Sequence, residues 1–454
     1  MKQFYKLISI VTLVFVWSMA NAQQATSTQS FSLQQCIDYA MENNPNLKNS
    51  KSAIESSQAK VRETLASGLP QIGATADLGN NFIIPTSFLP ASVFGGPADQ
   101  YVGVKFGTQY VGRSSLNVDQ MIFNGSYFVG LKASQVYTEL SRQDLVKSKT
   151  DLFIAIKKAY YSVLVGKERL DLVNKNYQRL DSLLFQTKVQ FDNGMSEKID
   201  VSRIQVQFNN IVNQKRTTEM GLEVSMNLLK FQMGHPINQK IELSDNLESI
   251  KLQALDDAFT KSFSYNGRVE YRQLDVNSQL VQMDIKNVKS QYLPRLDFYG
   301  NYGASYGATK LDQFTQFGSW KTFGVFGIRA NVPIFDGLKK SNQIQQKKIQ
   351  WKQLENSKIL MRNQIDMEQN QALLSFNTNI ETLKNQKDNM SLADEVYRVS
   401  VIKYQQGVGS NIEVINADAS LKEAQTNYYA ALYDALISSV DLEKSYGKVL
   451  NDNQ

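Results

Sequence analysis

The chain has 454 residues, with 49 Lys+Arg, 43 Asp+Glu, one His, one Cys and eight Pro, and 42% of it is apolar. Its 10% aromatic and 20% charged content is that of a folded protein, and a net charge of +6, two units of it on Lys2 and Lys6, is too small to mark a nucleic-acid binder. A single His (His235) and a single Cys (Cys36) exclude an intrachain disulfide and most metal or nucleophile chemistry, since zinc needs three or four ligands and a thiolate needs a base.

Residues 1–22 read as a signal peptide. Lys2 and Lys6 precede an apolar run from Leu7 to Met19, and Ala20-Asn21-Ala22 is a small-x-small site for cleavage before Gln23. The run falls short of the roughly 20 apolar residues of a spanning helix, and no later segment approaches that length, so membrane insertion would have to use β-strands. Cys36 lies past the cleavage site and reads as a small buried residue near a helix start, not as a lipid anchor.

Residues 23–235 form a first half: a helix, a β-hairpin at about 69–123, a long helix at about 126–192 and a helix at about 196–233. After Leu69-Pro70, Ile72, Ala74, Ala76 and Leu78 alternate with Gln71, Thr75 and Asp77; later Leu116, Val118 and Ile122 alternate with Asn117 and Asp119. This period of two gives one apolar and one polar face. No proline interrupts residues 98–235, where Leu152, Ile156, Ala159, Val163, Leu170, Val173 and Tyr177 keep the spacing near 3.5 of a supercoiled seam. About 67 such residues make a rod of about 100 Å.

Residues 236–454 repeat the plan: a helix at about 253–291, a hairpin at about 293–335, a long helix at about 339–406 and a helix at about 410–447. Leu296, Phe298, Tyr302 and Tyr306, then Phe326, Ile328 and Ala330, carry the strand alternation; Leu373, Phe376, Ile380, Leu383 and Met390, then Leu421, Ala424, Tyr428, Ala431, Ala435 and Leu442, carry the seam. The correspondence can be counted. Leu69-Pro70 matches Leu293-Pro294 at an offset of 224, Ile122-Phe123-Asn124-Gly125 matches Ile334-Phe335-Asp336-Gly337 at 212, and Gly194 matches Gly407 at 213. The drop places a longer exposed loop, Asn81 to Gly107, in the first hairpin. Duplication follows.

Gly407 after the long helix suits a left-handed terminator, and Ser410 with Glu413 reads as a capping box; Gly194 and Ser196 take the same places in the first half. Ten-residue amphipathic strands fit either a transmembrane barrel or a soluble sheet with one face on a core. Four strands cannot close a barrel, so the membrane reading requires two, three or four copies.

The signal peptide, the duplicated half, the turn Ile334-Phe335-Asp336-Gly337 and the run Tyr404-Gln405-Gln406-Gly407-Val408-Gly409-Ser410-Asn411-Ile412-Glu413-Val414 together resemble the TolC family of outer-membrane efflux proteins over nearly the whole mature chain. The resemblance implies a mainly α, internally duplicated fold with four β-strands per protomer, long coiled-coil-like hairpins forming an α-barrel, and a transmembrane β-barrel closed by trimerisation. It implies a homotrimer in outer-membrane lipid extending into the periplasm, docked to a periplasmic adaptor and an inner-membrane pump in an efflux or type I secretion system, with no catalysis and no cofactor or metal. Tyr404, Glu413, Asn416 and Asp200 would line the periplasmic gate or constriction. Gly194, Met195, Ser196, Gly407, Val408, Gly409 and Ser410 would form the adaptor-contacting hairpin tips, and Phe123, Gly125, Phe335 and Gly337 the strand-to-helix turns. Glu413 takes the place of an aspartate, Asn416 of a second one, and Gly409 of an arginine that helps hold the closed state; the last two departures weaken that polar lock.

On the residues alone, Glu413, with Asp200, forms a cation-favouring ring in an assembled pore or simply caps a helix N-terminus. Tyr404 is a constriction tyrosine or a packing one, and His235 belongs to the loop between halves. Two other function classes stay open: a secreted or surface coiled-coil scaffold or adhesin without channel activity, and an enzyme, which would need a polar constellation that the sequence does not display.

Overall fold

The computed structural model of the chain describes residues 29–247, 263–315 and 319–448. The signal peptide read at 1–22 lies outside the described residues. In chain order, β1 (Gln29–Phe31) leads to α1 (Leu33–Asn43) and α2 (Pro45–Ala66), then β2 (Gln71–Asn80), β3 (Thr86–Pro90), β4 (Tyr101–Lys105) and β5 (Tyr110–Phe123). Next come α3 (Gly125–Asp192), α4 (Lys198–Met233) and β6 (Ile241–Leu243). The second half supplies α5 (Val269–Ser290), β7 (Arg295–Ala308), β8 (Lys321–Asn331), α6 (Lys339–Gln405) and α7 (Asn411–Ser445). These elements group into two compact units, one comprising residues 53–142 and 274–358, the other the described parts of 1–52, 143–273 and 359–454.

The first unit is built on a four-stranded antiparallel sheet in the order β2-β5-β7-β8. Pairing of β5 with β7 joins the two hairpins, and β2 and β8 are left with one neighbour each. The registers put Ile72, Leu116, Val118, Tyr302, Phe326 and Ile328 on one face and Thr75, Asp77, Asn117, Asp119, Asn301 and Arg329 on the other. The apolar face is bare, with Phe326 80% and Ile72 72% exposed. The polar face is knitted together: Thr75 Oγ1 and Ser115 Oγ lie 3.0 Å apart, Asn301 Nδ2 donates to Asn117 Oδ1, and the Arg329 guanidinium sits 4.8 Å over the Tyr299 ring. Gly303 is required where the hairpins join, because a Cβ there would lie 2.3 Å from the Ser114 carbonyl oxygen and 2.9 Å from the Phe323 ring. Among the described residues, no helix is long and apolar enough to cross a membrane.

The long loop of the first hairpin holds structure the sequence did not announce. Residues 86–90 and 101–105 pair as an antiparallel ribbon of their own, β3 with β4, closed by a 3-10 turn at Ala91–Phe94.

The second unit is helical. Cys36, Ile37, Ala40 and Leu47 of α1 and α2 pack with Ile156, Tyr160 and Val163 of α3, Leu229 and Met233 of α4, and Leu436 and Val440 of α7. Most seam positions expected from the spacing are buried, and Leu170, Tyr177, Leu373, Ile380, Leu383, Met390, Ala424 and Tyr428 are half-buried. Burial pushes the Cys36 thiol up to about 12, with Asp245 adding to the effect. Asp245 accepts from Tyr160 Oη at 2.8 Å and from the Leu33 amide at 3.0 Å. His235 does lie in the loop after α4, but buried, against the Phe31 and Tyr39 rings and with Nδ1 3.1 Å from the Pro236 carbonyl.

Both halves end on the same contact. Asn44 Nδ2 donates to the Gln232 carbonyl at 2.7 Å, and Arg268 Nη1 donates to the Ser445 carbonyl at 3.0 Å. Gly234, left-handed, would carry a Cβ 3.0 Å from Asn43 O, and Gly447, also left-handed, one 3.1 Å from Gly267 O. These pairs stand at the offsets of 224 and 213 found in the sequence.

Two boundaries differ from expectation. The helix placed at about 253–291 is described only from residue 263. There a 3-10 turn, Tyr265–Gly267, precedes a helix that begins at Val269, with Arg268 extended between them and its side chain bonded to the Ser445 carbonyl. The two strand-to-helix turns are also unlike. Asn124 Oδ1 accepts from the Ser126 amide at 3.0 Å and α3 starts at Gly125, whereas Gly337 and Leu338 are both left-handed before α6 starts. Asp336 then accepts from the Lys340 amide at 3.1 Å. Phe123 is half-buried beside Phe128, while Phe335 is 81% exposed.

Candidate functional site

The sequence pointed to the ends of the two long hairpins, α3–α4 and α6–α7, and all of the residues there belong to the helical unit. Each long helix stops in the same way. The Gly194 amide donates to Phe191 O and the Met195 amide to Gln190 O; the Gly407 amide donates to Tyr404 O and the Val408 amide to Lys403 O. Both are Schellman turns on a left-handed glycine, φ 72° and 75°, which satisfy carbonyls the helix would otherwise leave bare. At Gly409 a Cβ would fall 2.9 Å from Lys403 Cβ and 3.1 Å from the Tyr404 amide nitrogen, so the turn cannot take a larger side chain without shifting its neighbours.

The following helices are capped differently. Ser410 Oγ accepts from the Glu413 amide at 3.3 Å, which is the expected half of a capping box and leaves Glu413 exposed. In the first half the cap is Glu197, not Ser196: α4 opens at Lys198, and Asp200 Oδ2 accepts from the Glu197 amide at 3.4 Å and from Ser196 Oγ at 3.3 Å. Glu197 stands 213 residues before Ser410, so the offset finds the cap that residue preference missed.

Below the turns the four helices share one core. Val173, Leu180, Leu183 and Leu184 of α3 meet Ile204 and Ile211 of α4, Tyr397 of α6, and Val414, Ala417 and Leu421 of α7. Tyr404 packs against this cluster, its hydroxyl buried without a hydrogen-bond partner. Asp200 is brought not to Glu413 but to Asn411, whose Nδ2 donates to Asp200 Oδ1 at 2.9 Å and Asp200 O at 3.3 Å. Asn411 is 5% exposed and its Oδ1 is buried without a partner. Gln405 Nε2 donates to Gln186 Oε1 at 3.1 Å as a second tie between hairpins. Deeper in, Asn176 Nδ2 donates to Gln425 Oε1 at 2.8 Å, and Arg179 lies 3.6 Å from Asp394 and 5.0 Å over the Tyr397 ring. Burial, then Asp418, raises the Tyr397 pKa.

Asn411 was not legible as a tie, because the matching position of the first half is the exposed Lys198. Glu413 and Asn416 open an exposed polar stripe on α7 that continues through Ser420, Glu423 and Asn427 at spacings of three and four. Met195, Val408 and Gly194 are exposed at the turns. Among the described residues no three His, Cys, Asp or Glu side chains gather to hold a metal ion.

A family model described as "Outer membrane efflux protein" matches residues 36–220 and 270–448. The chain is 19% identical to the outer membrane protein TolC of Salmonella enteritidis, over 93% of this chain and 83% of that protein. It is 20% identical to the alkaline protease secretion protein AprF of Pseudomonas aeruginosa, over 75% of this chain and 70% of that one. The fold matches the CmeC outer membrane channel of Campylobacter jejuni with a TM-score of 0.71 and 16% identity, covering 93% of this chain and 87% of that chain.

Proposed function

The chain belongs to the outer membrane efflux protein family, whose members are channels and not enzymes, and from that premise we propose that it works as a homotrimeric channel-tunnel of a tripartite efflux or type I secretion system. The protein is an outer-membrane efflux or secretion channel that extends into the periplasm. In the proposed assembly each copy gives four strands to one barrel in outer-membrane lipid, and a periplasmic adaptor and an inner-membrane pump engage the hairpin tips.

The observation that carries this reading is the sheet: one face apolar and bare, the other polar, and the two edges, on β2 and β8, unpartnered. In lipid each open edge would leave backbone groups unsatisfied at several kcal/mol apiece, and pairing β2 of one copy with β8 of the next removes every edge. Exposed apolar residues spaced by seven on α6, Leu360, Met367 and Leu374, offer a matching seam between copies in the helical part. The test is single-channel conductance of the purified mature protein in a planar bilayer under a salt gradient. Small cation-preferring openings are expected; folded protein that never inserts would overturn the reading.

In this reading Tyr404, Asp200, Glu413 and Asn416 surround the periplasmic constriction, with Asn411–Asp200 as the tie between hairpins that stands in for the missing arginine at Gly409. Glu413→Ala is expected to reduce cation preference without changing trimer assembly, since its carboxylate is exposed while Ser410 keeps the cap. Selectivity identical to wild type would leave Glu413 as a helix-end residue only.

Asn411→Ala removes both bonds to Asp200 and is expected to raise conductance, while Tyr404→Phe should leave it equal or lower. Deleting a buried hydroxyl that has no partner relieves about 1–3 kcal/mol instead of breaking a lock. A Tyr404→Phe channel more open than Asn411→Ala would reverse the assignment of the tie.

A further inference from the structure

The excursion between β2 and β5 carries more bare apolar surface than its place in a loop explains. From Asn81 to Gln109 the only charged residues are Asp99 and Lys105. Phe82, Phe88, Val93, Phe94, Tyr101 and Phe106 are all more than half exposed. The register of β3 with β4 puts Phe88 and Tyr101 on one face of the ribbon and Leu89, Val102 and Val104 on the other, so both faces are apolar. An isolated two-stranded ribbon is marginal in water, and a bare apolar patch of this size marks a surface that something covers.

We propose that the cover is a second copy of this chain, and that the excursions of neighbouring copies pack on one another into an apolar plug at the outer mouth of the barrel. The inference rests on the trimeric barrel proposed above. Two features choose this occupant. A lipid surface covers one face of a ribbon, whereas in a closed ring every copy has a neighbour on each side, which is what a ribbon apolar on both faces requires. The excursion also springs from the end of β2, the edge strand that meets the next copy, with the Asn81 amide bonded to Gln109 O at 2.6 Å at its root. It is therefore continuous with the seam between copies. An apolar constriction of this kind closes a pore by shedding water, independently of any tie at the periplasmic tips.

The wild-type protein is a clean background for cross-linking, because its one thiol, Cys36, is fully buried and held protonated. Ser92→Cys and Ala98→Cys, both at exposed positions of the excursion, are to be oxidised in outer-membrane vesicles and treated in parallel with a short bis-maleimide. The expected result is covalent dimers in at least one variant and none in wild type. In parallel, Phe88→Asp and Tyr101→Asp should each raise single-channel conductance about two-fold or more, without loss of trimers in mild detergent. Intact trimers that fail to cross-link at either position overturn the plug: thiols reached by a water-soluble maleimide would then face a partner outside the cell, and thiols reached only by a membrane-phase reagent would lie on lipid. Unchanged conductance in both aspartate variants overturns it as well. Wild-type protein that is monomeric in mild detergent would instead sink the barrel reading beneath it.

Discussion

Phe326→Arg should abolish or strongly impair insertion, because it places a charge at the middle of β8 on the apolar face, where a lipid-facing arginine costs about 2–4 kcal/mol per copy. Thr75→Arg, on the polar face of β2 beside Asp77, should insert with at most the loss of the contact to Ser115. The contrast isolates the face, since both positions are exposed strand residues that receive the same side chain. In the proposed trimer three copies multiply the penalty, so the deficit should be visible as missing trimers in outer-membrane fractions and as a lowered urea midpoint in lipid vesicles. If Phe326→Arg assembles as wild type and Thr75→Arg does not, the apolar face is not the lipid face.

Much of that sheet was legible in the sequence. Strict alternation over ten residues leaves little choice of face, and the registers of β2–β5 and β7–β8 keep the alternation intact. The long helices were equally legible, since proline-free stretches with a 3.5-residue seam admit no other packed form, and the glycine terminators fell where the offset of 213 put them. What escaped were features set by contact between distant segments. The β3–β4 ribbon lies among prolines and glycines that read as loop, because turn residues mark where strands stop and say nothing of short strands between them. Leu338 is left-handed, the only such non-glycine among the described residues, in a turn whose sequence matches one that is not. An outlier of this kind costs about 1–3 kcal/mol and is imposed by its surroundings, not by its own preference. At the tips the sequence named Asp200 but not the residue that binds it within the chain. Asn411 looks like an ordinary first-turn residue until α3–α4 and α6–α7 are packed together.

Arg268 tests how far the equivalence of the halves reaches into energetics. It is buried with a side chain 6% exposed, bonded to Glu368 Oε2 at 2.9 Å and Glu270 Oε2 at 3.2 Å as well as to the Ser445 carbonyl. Asn44 does the same work in the first half with a neutral side chain, bridging to Gln232 O while its Oδ1 accepts from the Asn46 and Leu47 amides. Breaking a buried ion pair costs about 3–5 kcal/mol, and the lower end applies here because Glu270 and Glu368 keep partial contact with water. Arg268→Ala should therefore destabilise by about 3 kcal/mol, against about 1–2 kcal/mol for Asn44→Ala, which loses neutral bonds and a helix cap. Arg268→Asn installs the first half's solution and should recover part of the loss by restoring the bond to Ser445 O. The measurement is the urea midpoint of the helical signal in mild detergent, read beside ion selectivity, which none of the three should change. Equal losses for Arg268→Ala and Arg268→Asn would mean that the paired carboxylates, not the shared carbonyl contact, hold the end of α7 in place.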